Sequence, residues 1–209
     1  METEKISKKL LKRLPLYLAH LKSLPENSNV SATSMAKALN LGDVQVRKDL
    51  AKVSGEGRRR TGRSRELLIR DIEEYLDFAA QTGTVIVGAG KLGRALLDYD
   101  GFEKSGLNVM AGFDLEPCAE HSESGKPIYP MNRLEHFCRH YDVHIGVITV
   151  PAESAQRVCD SLIACGITAI WNFAPVHLKV PNHVIVQSEN LAVSLTALRV
   201  QMKNQKTVC

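Results

Sequence analysis

The sequence predicts an α/β protein in three parts: a small helical N-terminal domain, a doubly wound parallel sheet, and a terminal helix. Three observations carry the prediction. Residues 84–114 read as strand, glycine-rich turn, helix and second strand. Apolar runs of strand length then alternate with helical patterns up to residue 186. Charge is unevenly spread: residues 1–70 hold 16 Lys+Arg against 7 Asp+Glu, and the remainder 11 against 16. A basic third joined to an acidic remainder suits a polyanion-binding domain attached to a second domain of other chemistry.

With 209 residues the chain has room for one large or two small domains, and its 44% hydrophobic content is that of an ordinary globular protein. No apolar run approaches the roughly 20 residues that span a bilayer. The start, M-E-T-E-K-I-S-K-K, has no signal-peptide core. A cytoplasmic protein without membrane contact is expected. The five cysteines (Cys118, Cys138, Cys159, Cys165 and Cys209) form no C-x-x-C pair and do not join the histidines at zinc spacing, so no metal site is expected. Cys159 and Cys165 read as core or near-core thiols.

Taken in order, Leu10, Leu14, Tyr17, Leu21 and Leu24 recur at helical spacing, with Pro15 kinking or restarting the helix. Pro25 to Asn29 is a turn. Ser31 caps a short second helix through Asn40, whose apolar side is Met35, Ala38 and Leu39. After Leu41-Gly42, Asp43 caps a third helix with Val46, Leu50 and Val53 facing inward. That helix exposes Gln45, Arg47, Lys48 and Lys52. Gln and Arg pair bidentately with adenine and guanine edges, while Lys48 and Lys52 suit phosphates. Alone, this is also the pattern of any solvated basic helix. Ser54 to Arg65 then holds three glycines and five arginines, Arg58, Arg59 and Arg60 among them. It suits a hairpin wing along DNA, or else a flexible basic linker. The order matches a winged helix-turn-helix. Leu68, Ile72, Tyr75, Leu76 and Ala79 mark another helix, to Gln81. The boundaries expected are 1–80, 81–187 and 188–209.

Thr84 to Val87 is a β-branched run followed at once by Gly88-Ala89-Gly90-Lys91-Leu92-Gly93, a G-x-G-x-x-G turn. The first glycine allows the turn, the second lets a pyrophosphate approach the backbone, and the third lets helix and strand pack closely. Leu92, Ala95 and Leu96 open a helical apolar pattern. Asp114 ends the next apolar run 21 residues after Gly93, where a carboxylate accepts from both ribose hydroxyls. No Lys or Arg follows it directly, which favours NADH and NAD⁺ over their phosphorylated forms. A glycine-rich turn that binds nothing is the alternative.

Further on, Glu116 to Lys126 is a polar loop, Pro127 to Tyr129 a short strand and Asn132 to His140 a helix. Val143 to Val150 is a central strand in which His144 reads as a core residue. A helix runs from Pro151 to Cys165, and strands follow at Thr168 to Phe173 and Val184 to Val186. Ligands of such sheets bind beyond the carboxyl ends of strands, which puts Thr149, Val150, Pro151, Asn172, Phe173 and Ala174 near the nicotinamide half, or makes them core and turn residues. The final helix, Leu191 to about Lys203, has Leu191, Leu195, Leu198 and Met202 on one side. It is either a dimer element or a cover for its own domain.

With these residues in hand, the chain resembles the Rex family of redox-sensing transcriptional repressors over almost its whole length. The resemblance rests on R-L-P-L-Y-L from Arg13, Q-V-R-K-D-L from Gln45, V-G-A-G-K-L-G-R-A from Val87, Y-D-G-F from Tyr99, V-P-A-E from Val150, N-F-A-P from Asn172 and N-L-A-V-S-L from Asn190. It implies a homodimer with an N-terminal winged helix, a Rossmann domain and a terminal helix swapped between subunits. It implies binding to a palindromic double-stranded operator, with release when NADH replaces NAD⁺. Arg47 and Lys48 would lie on the recognition helix and Arg59 in the wing. Arg13 and Tyr99 would belong to the switch. Three places depart from the family. Val53, Glu56 and Arg63 stand where the wing carries aromatic residues and glycine, although Gly57 and Gly62 remain. Lys91 replaces an asparagine. Asn190 replaces the acidic residue that alternates between tyrosine and arginine. The competing readings are a small NAD-dependent oxidoreductase, for which no proton-transfer constellation is evident, and a CoA- or nucleotide-binding module, against which the basic first third argues.

Overall fold

The structure is a computed structural model that describes residues 7–55, 62–77 and 80–206. The chain divides into two compact units, Met1–Ala80 and Gln81–Cys209.

The first unit contains helix α1 (Lys8–Ser23), strand β1 (Asn29–Val30), helix α2 (Ala32–Ala38), helix α3 (Asp43–Ser54), strand β2 (Arg63–Ser64) and helix α4 (Arg65–Tyr75). Pro15 lies inside α1, and Leu10, Leu14, Tyr17, Leu18 and Leu21 are buried along one side. A capping box starts α2: Ser31 Oγ accepts from Ser34 N–H while Ser34 Oγ accepts from Ser31 N–H. The helix buries Met35 and Ala36 with Ala32 and Leu39 packed beside them, an i,i+3/i+4 stripe that leaves Ala38 exposed. Gly42, not Asp43, is the N-cap of α3, and Asp43 is the first helical residue. Strands β1 and β2 pair antiparallel, Asn29 opposite Ser64 and Val30 opposite Arg63. Residues predicted as a plain turn before α2 thus supply one strand of this ribbon. The helix predicted to reach Gln81 ends at Tyr75, since Asp77 takes a left-handed φ of 54°.

One polar residue is buried in the first unit's core among those described, and it organises the helices around it. The Asp49 carboxylate on α3 is 5% exposed. Arg13 Nε donates to its Oδ2 (2.7 Å) and Arg13 Nη2 to its Oδ1 (2.9 Å). Tyr17 Oη donates to Oδ2 (2.7 Å) and Gln45 Nε2 to Oδ1 (2.8 Å). Each oxygen therefore receives two donors, which fills the four lone-pair sites of a carboxylate. Burial pushes the Asp49 carboxyl up, but the donors from Arg13, Tyr17 and Gln45 outweigh it and hold it below the usual range. Burial and then Asp49 raise the Tyr17 phenol to about 12.

The second unit begins with strand β3 (Thr82–Val87), helix α5 (Lys91–Leu97) and strand β4 (Leu107–Asp114). It continues with strand β5 (Ile128–Pro130), helix α6 (Leu134–His140), strand β6 (Val143–Ile148), helix α7 (Ala152–Ala164), strand β7 (Ala169–Asn172), strand β8 (Ile185–Ser188) and helix α8 (Leu191–Lys206). All six strands are parallel, in the order β5-β4-β3-β6-β7-β8. This is the Rossmann order, and strand order reverses between β3 and β6. Val85, Val87, Ala111, Phe113, Ile148, Ala155, Cys159 and Leu162 belong to one core cluster, and Ile86, Leu97, Val109 and Val147 to another. Helix α5 buries Gly93 and Leu97 and exposes Ala95, a shift from the expected apolar side that follows from its close approach to β3. His144 is not a core residue: its side chain is 53% exposed, with Nε2 3.1 Å from Asp142 Oδ2. The described side chains of α8, from Leu191 to Lys203, are all exposed.

Removing Arg13 leaves a buried carboxylate without its counter-charge, so Arg13→Ala destabilises the first unit by about 3–5 kcal/mol. Asp49 titrates lower in the folded state than unfolded. Its contribution is therefore complete above the unfolded carboxylate value and is lost as pH falls through the folded one. Thermal melts of wild type and Asp49→Asn should differ most near neutral pH and converge in acid. A constant difference across that range contradicts the assignment.

Candidate functional site

The glycine turn lies at the carboxyl end of β3, on the side of the sheet where β6 also ends. Gly88 has φ +103°, and a Cβ there would meet the Thr149 backbone carbon at 2.9 Å. A Cβ on Gly93 would stand 1.8 Å from Gly88 O, so no other residue fits. Gly90 is different. Its φ is −71°, and a Cβ there meets nothing within 4 Å. The fold thus requires the first and third glycines but not the second. A bare backbone at Gly90, facing open space at the start of α5, is what a pyrophosphate needs for close approach.

The turn is held from three sides. Ala89 N–H donates to Asp114 Oδ2 at 2.6 Å, so this carboxylate braces the turn as well as ending β4. Thr149 Oγ1 lies 2.7 Å from Gly88 O and 3.0 Å from Val87 O. Arg94 Nε donates to Ala89 O at 2.9 Å, a brace that no sequence pattern singled out. Lys91 and Leu92 open α5 and are exposed.

A cavity of about 780 Å³ runs from this turn between the ends of β4 and β6. Gly88, Gly90, Asp114, Thr149, Val150 and Pro151 line one part, and Leu115, Met131, Leu134 and Val158 give it apolar walls. These four walls were missed in the sequence because they come from separate loops and helices with no common spacing. The rule that ligands sit beyond strand carboxyl ends marks Leu115, the residue after Asp114.

Two residues expected near the nicotinamide half also make contacts within the fold. Asn172 is fully buried, and its amide is spent on its own loop: Nδ2 donates to Ala174 O and Val176 O, and Oδ1 accepts from Ala174 N–H. Its side chain shapes the turn after β7. Phe173 packs on Trp171 at 4.5 Å between centroids. Trp171 meets Phe102 at 5.9 Å, and Phe102 meets Tyr99 at 5.0 Å, which links Tyr99 to Phe173 through four rings. A Cβ on Gly101 would lie 2.3 Å from the Tyr99 ring, so a side chain there would push that exposed ring aside. Tyr99 itself is 57% exposed. Asn190 Oδ1 accepts from Val193 N–H at 3.0 Å and so caps α8.

Burial, and then the neighbouring Cys165, pushes the Cys138 thiol up to about 12, and burial raises Cys159 and Cys165 as well. These thiols are protonated at neutral pH. No group of three or more metal-ligating side chains occurs among the described residues.

In the first unit, α3 exposes Val44, Gln45, Arg47, Lys48 and Lys52. Arg47 pairs with Asp43 at 2.7 Å, one turn earlier, with its side chain 66% exposed. Val44 is 65% exposed, which its apolar side chain does not signal in the sequence; a solvent-facing apolar side chain in the first turn of such a helix suits a thymine methyl. Arg13 is bound to Asp49 within the same unit. Arg58, Arg59 and Arg60 lie outside the described residues.

Comparison with known proteins agrees on both units. A family model described as "Putative DNA-binding protein N-terminus" matches residues 5–51, and one described as a CoA binding domain matches residues 79–176. The redox-sensing transcriptional repressor Rex of Bacteroides fragilis is 36% identical over 200 residues, covering 94% of this chain and 91% of the relative. The protein of that name from Streptomyces coelicolor is 40% identical over 189 residues, covering 89% and 73%. The chain belongs to the Rex family. A crystal structure of RSP in complex with β-NAD⁺ and operator DNA matches with TM-score 0.89 and 30% identity over 99% of this chain and 96% of that one. RSP in complex with β-NADH matches with TM-score 0.84 and 29% identity over 99% and 98%. Rex proteins are transcriptional repressors, so the dehydrogenase-like sheet does not make this chain an enzyme.

The glycines separate the fold from the ligand. Gly93→Ala forces backbone apart and is expected to cost more than about 4 kcal/mol, in the extreme tail of single substitutions. Gly90→Val should lower the melting temperature far less than Gly93→Ala, since it costs only an N-cap, and should weaken NADH binding by on the order of a hundredfold, or about 2.7 kcal/mol. Calorimetry with an NADH titration checks both, and normal NADH affinity in Gly90→Val places the dinucleotide elsewhere.

Proposed function

We propose that this chain is an NADH-responsive repressor that binds a palindromic operator as a homodimer and leaves it when NADH replaces NAD⁺. The observation that carries the reading is Gly90: an open glycine the fold does not need, on the turn between Asp114 and Thr149. The dinucleotide's pyrophosphate lies over Gly90, its adenosine ribose meets Asp114, and its adenine enters the apolar walls at Leu115, Met131, Leu134 and Val158. Asp114 repels a 2′-phosphate, so the cofactor is NADH or NAD⁺. Thr149, Val150, Pro151 and Phe173 border the nicotinamide half. Bound dinucleotide supplies only its redox state as a signal, and no chemistry is done on it.

Each winged helix places α3 in a major groove, with the first turn nearest the bases. Arg47 reads a guanine, while Lys48 and Lys52 meet phosphates, as do the arginines of residues 58–60. Phosphate contacts provide most of the affinity and its salt dependence. The partner surface is α8, whose Leu191, Leu195, Leu198 and Met202 are between 52% and 69% exposed. A 16-residue helix with these side chains in water is unstable alone and reaches its cover in a second copy. The switch is Tyr99, at the end of its aromatic chain. Asn190 keeps the cap that an acidic residue would provide but not the charge, so it meets Tyr99 as a neutral hydrogen-bonding group and cannot form the ion pair an acidic residue makes with an arginine. Sensing requires that NADH bind the DNA-free arrangement more tightly, by on the order of 1–3 kcal/mol of coupling. Such a regulator works in the cytoplasm, where its operator and the dinucleotide pool meet; among the described residues no helix is long and apolar enough to cross a membrane.

Arg47→Ala tests the helix assignment. It is expected to weaken operator binding by about 5- to 150-fold, the worth of one bidentate base contact, and to leave NADH affinity unchanged. Unaltered operator affinity would remove α3 from the interface.

A further inference from the structure

The Asp49 cluster does more than hold helices together, because one of its donors is also a candidate base reader. Gln45 lies in the first turn of α3, where a recognition helix meets base edges, and it is exposed. Its amide is nevertheless anchored: Nε2 donates to Asp49 Oδ1 at 2.8 Å. We infer that Asp49, itself locked by Arg13 and Tyr17, sets the amide orientation of Gln45 so that Gln45 reads adenine and rejects guanine. This rests on the DNA-binding reading above.

An ionised carboxylate only accepts, so only the nitrogen end of the amide can face Asp49. Arg13, held at 2.7 and 2.9 Å, keeps that carboxylate ionised, and Tyr17 fills the remaining site on Oδ2. Asp49 takes one of the two Nε2 hydrogens. The carbonyl Oε1 and the other Nε2 hydrogen remain for the groove. Adenine offers the complement of that pair, an N6 donor beside an N7 acceptor, whereas guanine offers two acceptors, O6 and N7. A free glutamine could aim Nε2 at guanine and donate both its hydrogens. The anchored one cannot. Arg13, Tyr17 and Asp49 are positioning residues here, and Gln45 makes the contact.

The experiment starts from a duplex recovered by the wild-type protein from a random-sequence pool. Each A·T pair of one half-site is changed in turn to G·C, and adenine is replaced by 7-deazaadenine, which lacks the N7 acceptor. Affinities are measured at fixed salt for wild type, Gln45→Ala, Tyr17→Phe, Asp49→Asn and the Gln45→Ala/Tyr17→Phe double variant. Wild type should prefer adenine at one position by about tenfold or more and lose that preference with 7-deazaadenine. Gln45→Ala should level it while leaving affinity for unrelated duplex and the salt slope unchanged. Tyr17→Phe, a deletion of one hydroxyl that keeps the Arg13 pair, should reduce the same preference and no other. In the double variant it should add nothing. Asp49→Asn, if it folds, should gain tolerance for guanine at that position. The inference is overturned if Gln45→Ala keeps every base preference, or if Tyr17→Phe weakens all duplexes alike. Failure of the wild type to select any sequence overturns the DNA-binding reading itself, and this inference with it.

Discussion

The second unit depends on a single close approach. Helix α5 lies so near the end of β3 that Gly93 has no room for a methyl group beside Gly88 O. With the helix that close, the turn between them is short, and its first residue must take a positive φ, which Gly88 supplies. The same proximity brings the backbone of Ala89 within reach of Asp114 on β4 and the carbonyl of Gly88 within reach of Thr149 after β6. Three neighbouring strands of the sheet, β4, β3 and β6, are thereby tied together where strand order reverses. The cavity beside the glycine turn opens next to this tie. Its walls come from the tied strand ends and from helices α6 and α7.

The first unit solves its problem by another route. It is small, and a few short helices bury limited apolar surface. Its buried charge is satisfied with a full set of donors from two helices, which fixes α1 against α3 in one register. Such a cluster adds little net stability compared with apolar packing, since desolvation offsets much of the Coulombic gain. What it provides is geometry. A recognition helix must hold its side chains to fractions of an ångström against base edges, and a saturated carboxylate leaves few alternative arrangements. In the DNA-binding reading proposed above, the basic surface supplies affinity and the buried cluster supplies register.

Much of this was legible in the sequence, for reasons specific to each element. The strands of the parallel sheet announce themselves because burial on both faces demands continuous apolar runs, as in Thr84 to Val87 and Val143 to Val150. The glycine turn is visible because sterics leave no substitute at two of its positions. Ser31 was legible as a cap because the hydroxyl and its partner are local. Less was visible where contacts join distant residues. Nothing in Q-V-R-K-D-L tells that its aspartate is buried against Arg13, 36 residues earlier. Strand β1 has two residues and exists only through pairing with β2. His144 sits in an apolar run yet faces out, since the amino end of β6 is open to water. Asn172 looked like a cofactor contact by position, but a buried amide in a tight loop first satisfies its neighbours.

The central claim is that the redox state of the dinucleotide, not its mere presence, controls DNA binding in a chain that carries Asn190 at its switch. The direct measurement is fluorescence anisotropy of the protein on its selected duplex at fixed salt, with NADH and NAD⁺ titrated separately. The account predicts release by NADH at concentrations well below any effect of NAD⁺. Equal effects of the two cofactors, or none from either, would contradict it and leave a DNA-binding protein whose signal is something other than the nicotinamide ring.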